Sequence, residues 1–161
     1  MPTYEHRQLS PWMFPVLAVI GFLLLHYGLG GPDASARLAA FAVAVAICVA
    51  FIQLSTRVDP RGVSWAFTLG VPGGAIAFEE IADVLVTRTQ WWEGFGIHWS
   101  WLHGWLWNVS GFQGVMIRKR DGRLITLGTD DPQGLYDAIR AALRGATYEA
   151  AGSGEPTPHP L

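Results

Sequence analysis

Residues 114–129, GVMIRKRDGRLITLGT, contain two β-like runs on either side of Asp121-Gly122. The arginines of the first run need water, so its apolar residues have to face the apolar residues of the second run. This parity leaves residues 120–122 as a three-residue loop and gives two core-facing pairs, Ile117 with Ile125 and Val115 with Leu127. Such a loop is a type I turn followed by a bulge, with Gly122 in the left-handed position. The stretch therefore predicts a β-hairpin of defined register.

The segments before this hairpin also alternate with a period of two. LSTRVD at 54–59 and VSWAFTL at 63–69 lie on either side of the turn DPRG, in which Pro and Gly supply special backbone angles. AIAF at 75–78 and VLVTRT at 84–89 are further short strands. The alternation predicts seven inward-facing residues in the first two of these strands: Leu54, Thr56, Val58, Val63, Trp65, Phe67 and Leu69.

The hairpin is followed by TDDPQGLYDAIRAALRG, residues 129–145, which has the pattern of an amphipathic helix. Asp131 before Pro132 is typical of an N-cap and a first helical residue, and Gly145 is a stop signal. One apolar stripe consists of Leu135, Tyr136, Ile139, Ala142 and Leu143. Beyond the helix, residues 148–161 have the Gly/Pro/Ser composition of a disordered tail.

The strand count and the terminal helix predict an α+β fold for residues 55–147. We expect a small antiparallel β-barrel or sandwich of about seven strands, with the C-terminal helix covering one open end. This is the layout of a pleckstrin-homology-like (PH-like) domain.

Two uncharged runs precede this domain, at residues 12–29 and 38–54. At ~1.5 Å per residue each run reaches roughly 25–27 Å, close to a hydrocarbon core of about 30 Å. The Gly/Pro/Asp-containing segment between them is typical of a turn between antiparallel helices. Residues 1–54 are therefore predicted to form a transmembrane helical hairpin, with spans at about 12–29 and 36–54.

Two alternatives to the hairpin are a pair of helices buried in a soluble core and a signal peptide cleaved after the small residues at 34–36. The first lacks a polar helix face for water, and the second still leaves the later run as an anchor. Arg7, Arg57 and Arg61 lie on the side of the termini, whereas Arg37 lies in the turn. This excess favours a cytoplasmic location for both termini.

The motifs LHYGLG, WWEGFGIHW, GWLWNVSG and LGTDDPQGL resemble a group of uncharacterised bacterial membrane proteins. The group combines a transmembrane hairpin with a PH-like domain that carries a WWYGWGIR…GWLYNVSG signature. The resemblance covers residues 24–145 and implies the same two-part organisation. The chain departs from the signature at Glu93, Phe95 and His98, and it has WSW at 99–101 where a Thr-Pro turn is common. The resemblance implies no catalytic residue.

Six of the eight tryptophans fall within residues 91–111, WWEGFGIHWSWLHGWLWNVSG. Packing in a β-core, contact with the membrane interface and a platform for a ligand or peptide each explain such crowding. The glycines before residue 99 argue against a regular strand there. We therefore expect Trp105 and Trp107 to be buried structural residues and the 91–101 segment to be a partly exposed loop. Candidate partner or membrane contacts in that loop are Trp91, Trp92, Phe95, His98, Trp99 and Trp101.

Other candidate groups are charged. A basic cluster at the tip of the 114–129 hairpin could contact anionic lipid headgroups. It consists of Arg118, Lys119, Arg120 and Arg123. A set of acidic residues and histidines could bind a metal ion, but a solvated acidic turn and two loop histidines are the favoured explanation. The set consists of Glu79, Glu80, Asp83, His98 and His103.

The composition narrows the function classes. The net charge of −2 argues against a nucleic-acid binder, and the single cysteine, Cys48, excludes an intramolecular disulfide. No nucleophile-and-base motif or phosphate-binding loop is present, and no cofactor is expected. The favoured interpretation is a membrane-tethered PH-like module, not an enzyme, that binds a protein partner, a second copy of itself or lipid headgroups. The alternative is a membrane-bound enzyme, such as a metal-dependent hydrolase using the acidic and histidine set.

Overall fold

The computed structural model describes residues 4–26, 33–89 and 96–152, which form an α+β fold of three helices and two β-sheets. Strand β1 (Tyr4–Leu9) comes first, followed by helices α1 (Met13–His26) and α2 (Ala34–Phe51). The next elements are β2 (Gln53–Asp59), β3 (Gly62–Phe67), β4 (Gly73–Ala77), a 3-10 turn (Phe78–Glu80) and β5 (Ile81–Arg88). The chain ends with β6 (Gly96–Ser100), β7 (Gly104–Asn108), β8 (Gln113–Lys119), β9 (Leu124–Gly128) and α3 (Pro132–Gly152).

The first sheet has the strand order β1-β2-β3-β4, and the second has the order β5-β8-β9-β7-β6. All pairings are antiparallel except that of β7 with β9, so the prediction of a wholly antiparallel domain is wrong at this pair. The reason is the connection. β7 joins β8 through a short turn and therefore runs opposite to it, while β9 pairs antiparallel with β8 and separates the two. β7 must then run parallel to β9.

The register predicted for the β8–β9 hairpin is confirmed. Val115 pairs with Leu127 and Ile117 with Ile125. Gly122 has a φ of 85°, and its N–H donates to the Lys119 carbonyl at 3.0 Å. The exposed arginines and buried aliphatic residues of the two strands thus fix the loop length, because any one-residue shift would exchange the two faces.

The hydrophobic core lies between the two sheets and beneath α3. Leu135 and Ile139 of α3 are fully buried, and the other residues of the predicted helical stripe pack against the same core. At the start of α3, the Asp131 carboxylate accepts a hydrogen bond from the Gly134 N–H at 3.0 Å, as predicted for an N-cap. The apolar face of α3 therefore packs on both sheets, and the cap at Asp131 fixes where the helix begins.

Six of the seven predicted inward-facing residues of β2 and β3 are buried, but Leu69 is 66% exposed. β3 ends at Phe67, and the Gly70 N–H donates to the Phe67 carbonyl at 2.8 Å, which turns the chain before Leu69 can continue the alternation. The predicted end of α3 at Gly145 is also wrong. The helix continues to Gly152, so residues 148–152 of the predicted tail are helical, and residues 153–161 lie outside the described residues.

β1 is an element that the sequence did not predict. It pairs with β2 from Tyr4↔Val58 to Leu9↔Gln53, so α1 and α2 are inserted between two adjacent strands of one sheet. The boundary proposed after residue 54 stays a prediction, but this pairing joins residues on both sides of it. No residue of α1 is buried, and Cys48 is the one buried residue of the fully described α2.

One helix, α2, has the length and composition needed to cross a membrane, whereas α1 is a shorter apolar helix of 14 residues. The two helices contact each other, with the Gly21 backbone close to the Phe41 ring and a shared apolar surface that includes Leu24 and Ala40. The last residues of the predicted first span, 27–29, lie outside the described residues.

Replacing Leu135 with alanine should lower the free energy of unfolding by about 2–5 kcal/mol, because the side chain is fully buried between α3 and the sheets. Chemical denaturation of the purified protein in mild detergent measures this loss. The matched control is Arg144→Ala on the exposed side of the same helix, which should change stability by about 0.5 kcal/mol or less. Equal effects of the two changes would contradict the packing of α3.

β1 is also held to α3 by a side-chain hydrogen bond. The Tyr4 hydroxyl donates to Asp131 Oδ2 at 3.1 Å. Burial of the phenol, followed by the hydrogen bond and the charge of Asp131, raises the pKa of Tyr4 above its usual value of 10.0. A raised pKa means that the folded state binds the Tyr4 proton more tightly than the unfolded state does, and this difference stabilises the fold. This stabilisation is complete below pH 10 and is lost as the pH rises further.

We expect the free energy of unfolding to fall more steeply above pH 10 in the native chain than in Tyr4→Phe. The phenylalanine variant should also be less stable at pH 7, by about 0.5–1.5 kcal/mol, because Asp131 loses one hydrogen bond. Urea denaturation at a series of pH values measures both effects. Identical slopes above pH 10 would show that Tyr4 ionises freely.

Candidate interaction surface at the tryptophan-rich hairpin

β6 and β7 form an antiparallel hairpin with its turn at residues 101–103. Gly104 begins β7 with a φ of 66°, and a Cβ atom there would lie 2.0 Å from the Leu124 carbonyl oxygen. A glycine is therefore needed for β7 to approach β9 this closely. The buried Thr126 hydroxyl donates to the His103 carbonyl at 2.8 Å, which fixes the turn against β9.

The expectation that no regular strand forms before residue 99 is wrong, because β6 begins at Gly96. Gly96 has a φ of 104°, so the glycine serves as the entry to the strand. Trp99 of β6 pairs directly with Trp105 of β7. The hairpin thus places two indole rings side by side on one face of the sheet.

The expectation that Trp105 and Trp107 are both buried is right in part for Trp107 and wrong for Trp105. The Trp107 ring packs edge-on against Trp65 of the facing sheet, with ring centroids 5.6 Å apart, and it also contacts Phe67. Trp105 lies on the same side of β7 but two residues nearer to the turn, and it is 50% exposed. The neighbouring Leu106 is fully buried. The face of β7 that was expected to be buried is therefore the less buried of its two faces, because the opposing sheet covers Trp107 but leaves Trp105 half exposed.

Three exposed tryptophans and the β8–β9 turn surround a groove of about 280 Å³, which we call the tryptophan groove. Trp99 is 52% exposed and Trp101 is 89% exposed, and their rings meet edge to face with centroids 4.9 Å apart. The lining residues are Trp99, Ser100, Trp101, Gly104, Trp105, Gly122, Arg123 and Leu124. Large, rigid rings beside a small polar rim are the residue types that dominate protein-binding surfaces.

The groove contains only some of the residues that were predicted to contact a partner or the membrane. Trp99, Trp101 and Arg123 line the groove, whereas Trp91, Trp92 and Phe95 lie outside the described residues. His98, in the middle of β6, is partly buried, and its Nε2 has no hydrogen-bond partner within the part of the chain that the structure describes. The sequence analysis missed Trp105 and Leu124 as surface residues. The pairing of Trp99 with Trp105 was the signal that could have found the first.

The basic cluster at the β8–β9 turn is largely neutralised. Lys119 Nζ lies 2.7 Å from Glu80 Oε2, Arg123 Nη2 lies 2.6 Å from Asp121 Oδ2, and Arg118 Nη2 lies 3.5 Å from Asp83 Oδ2. The hydrogen bond from Lys119 lowers the pKa of Glu80, and the hydrogen bond from Arg123 lowers the pKa of Asp121. Arg120 is exposed. Because most of its charge is matched locally, the cluster is a poor attractor for anionic lipid.

The acidic and histidine set does not form a metal site among the residues that the structure describes. Glu80 and Asp83 lie in ion pairs with Lys119, Arg118 and Arg140, while Glu79 is exposed. His103 is buried in the turn of the tryptophan-rich hairpin. The carboxylates and imidazoles therefore belong to separate local structures.

The tryptophan groove and the helical pair lie at opposite ends of the second sheet. β7 begins at Gly104 in the groove and ends at Asn108. Asn108 lines a small apolar pocket of about 150 Å³ together with Met13 of α1 and Phe51 of α2. Five strand residues separate these ends by roughly 13 Å. The groove therefore lies at the end of β7 that is away from the helices.

No protein-family model matches this chain, and no curated protein is significantly similar to it.

Alanine substitutions should separate the groove from the core. Trp107→Ala should lower the free energy of unfolding by about 3 kcal/mol, because the ring packs between the sheets. Trp105→Ala and Trp101→Ala should each cost about 1 kcal/mol or less, since at least half of each side chain is already exposed to water. Equilibrium denaturation followed by circular dichroism measures all three. A loss for Trp101→Ala as large as that for Trp107→Ala would mean that the groove is part of the core.

Proposed function

We propose that this chain is a membrane-tethered PH-like interaction module whose tryptophan groove binds a partner protein on the cytoplasmic side of a bacterial inner membrane. The observation that carries the proposal is the arrangement of the two ends of the domain. Apolar helices leave one end of the domain, and a cluster of exposed tryptophans occupies the other.

The tether is a helical hairpin of α1 and α2. β1 and β2 pair along their whole length, so the chain leaves for α1 and returns from α2 at the same end of one sheet. The helices expose large apolar side chains such as Phe22, Leu25 and Val43, which water does not favour and lipid does. At ~1.5 Å per residue α2 spans roughly 27 Å and α1 roughly 21 Å.

The orientation follows from the flanking charges. Arg7, Arg57 and Arg61 belong to β1, β2 and the β2–β3 turn, all on the domain side of the hairpin. Arg37, near the start of α2, lies 3.9 Å from the Asp33 carboxylate. An excess of arginine on the domain side favours a cytoplasmic domain. Both chain ends are then cytoplasmic, because the hairpin returns to the sheet it left.

The PH-like assignment rests on the order of the strands. Without the helical hairpin and the β6–β7 hairpin, the chain has four strands in one sheet, three in the other and a C-terminal helix. This count of seven strands and one helix supports the PH-like proposal, although it includes β1, which the sequence did not predict; all its pairings are antiparallel. The two hairpins are then insertions, one for the membrane and one that carries the groove.

A protein suits the groove better than a lipid does. The groove lies at the end of β7 away from the hairpin, which sets its rings apart from the bilayer that would hold the hairpin. Its charged member, Arg123, is paired with Asp121, so an anionic headgroup has little to gain. Exposed indole rings at the centre of an apolar groove are typical of residues that contribute most of the free energy of protein association.

Site-specific photo-crosslinking in native membranes tests the partner site. A photoreactive amino acid at Leu102, next to the groove, should give a discrete protein adduct, and Trp101→Ala should reduce its yield about tenfold or more, as for loss of a binding hot spot. The control is the same probe at Arg61, which is also distant from the hairpin but lies in the β2–β3 turn. Adducts to lipid alone at position 102, or equal protein adducts at positions 61 and 102, would contradict a specific partner at the groove.

The tether has its own test. A reporter enzyme that is active only in the periplasm, fused after residue 161, should be inactive, and the protein should stay in membranes during alkaline carbonate extraction. A highly active reporter would reverse the orientation. Extraction into the carbonate supernatant would remove the membrane anchor from the proposal.

A further inference from the structure

Exposed apolar side chains surround the base of the helical hairpin. They come from the end of β1, the start of α1, the β3–β4 loop and the β7–β8 turn, and they are Leu9, Trp12, Leu69, Val71 and Phe112. We call this set the apolar rim. Single exposed apolar residues are ordinary, but several at one end of a domain, next to an apolar hairpin, form a contact surface.

Hydrogen bonds hold these segments at the same end of the domain. The Gln53 N–H, immediately after α2, donates to Thr68 Oγ1 at 3.2 Å and so places the β3–β4 loop beside the hairpin. The Ser110 hydroxyl donates to the Leu9 carbonyl at 2.9 Å, and the Ser10 hydroxyl donates to the Val109 carbonyl at 2.8 Å. The β7–β8 turn is thereby tied to the chain that enters α1.

The β3–β4 loop presents its apolar residues on a closed turn. The Phe67 N–H donates to the Pro72 carbonyl at 3.1 Å, and the Gly70 N–H donates back to Phe67 at 2.8 Å. Gly70 has a φ of 80°, which permits the tight reversal. Leu69 and Val71, on either side of this glycine, are 66% and 69% exposed. Two backbone hydrogen bonds therefore close the loop, and the side chains that it directs outward are apolar.

A polar layer lies behind the rim on the outer face of the first sheet. Gln53, Ser55 and Arg7 line a groove of about 320 Å³ there, over a floor of small residues that includes Ala66. Arg7 is two residues before Leu9 on β1, a separation of roughly 7 Å along the strand. An apolar layer followed at this distance by cationic and hydroxyl groups matches the order of acyl chains and headgroups at a bilayer surface.

We propose that the apolar rim is seated in the lipid bilayer at the boundary between headgroups and acyl chains, so that the domain is docked on the membrane and does not swing freely from its hairpin. The occupant of this surface is the bilayer, because the rim is continuous with the hairpin that the proposed function places in lipid. The inference rests on that part of the proposed function. It also fixes the tryptophan groove at the far side of the docked domain.

The test uses purified full-length protein in phosphatidylcholine vesicles. Cys48→Ala removes the native thiol, and an environment-sensitive fluorophore is attached at Val71→Cys. The matched control carries the same fluorophore at Arg61→Cys, in an exposed turn at the opposite end of the first sheet. We expect the probe at position 71 to be quenched by nitroxide-labelled lipid and at least fivefold less by aqueous iodide than the probe at position 61.

A second variant separates seating from an effect of the probe. With the fluorophore moved to Phe112→Cys, the changes Leu69→Asp and Val71→Asp should restore quenching by iodide, because charges in the β3–β4 loop expel the rim from the bilayer. Iodide quenching at position 71 equal to that at position 61 would overturn the inference. So would protection from iodide without quenching by nitroxide lipid, which would indicate a second copy of the chain at the rim.

Carbonate extraction of the same vesicles distinguishes a failure of the seated rim from a failure of the hairpin anchor. If the protein stays in the membrane while position 71 is exposed to iodide, the seated rim is wrong and the hairpin anchor stands. If the protein is extracted, the anchor itself is wrong.

Discussion

The pairing of β1 with β2 is the constraint on which the remaining structure depends. Two strands that are adjacent in the sheet are separated in sequence by both apolar helices, so the ends of the helical pair are held one strand spacing apart, about 4.8 Å. The pairing also completes the first sheet, whose inner face forms half of the hydrophobic core. The proposed anchor and the folded domain therefore share a backbone hydrogen-bond ladder, and neither can be moved without the other.

The sequence predicted best where polar and apolar residues alternate. In the β8–β9 hairpin the inward aliphatic pairs and the outward Arg118 identify both register and loop length, and in β2 and β3 the alternation identifies the buried face. β1 could not be found in this way. Its inner face carries His6 and Gln8, which are polar but have partners: His6 bonds to Asp130, and Gln8 Nε2 donates to the Ser110 carbonyl. Polar side chains that bond to residues far along the chain leave no local pattern in the sequence.

The tryptophan-rich hairpin shows a second limit of sequence patterns. Parity correctly places Trp105 and Trp107 on one face of β7, but the covering layer over that face is supplied by Trp65 and Phe67 of the other sheet. Where that layer ends is a property of the tertiary arrangement. A pattern confined to β7 therefore cannot separate the packed ring from the exposed one, and the candidate surface emerges only when the two sheets are placed together.

The parallel pairing of β7 with β9, which we call the junction, lies between the tryptophan groove and the core. Residues of the junction and residues of the groove differ in how freely they can be replaced. Gly104 is confined by the Leu124 carbonyl, and Thr126 is committed to the His103 carbonyl, so the junction itself tolerates little change. Trp99, Trp101 and Leu102 project beyond it into solvent and support no other side chain of the buried cluster. Substitutions at these positions can alter the shape and chemistry of the surface while the junction keeps its place. A chain built in this way can change what it binds without having to become a different fold.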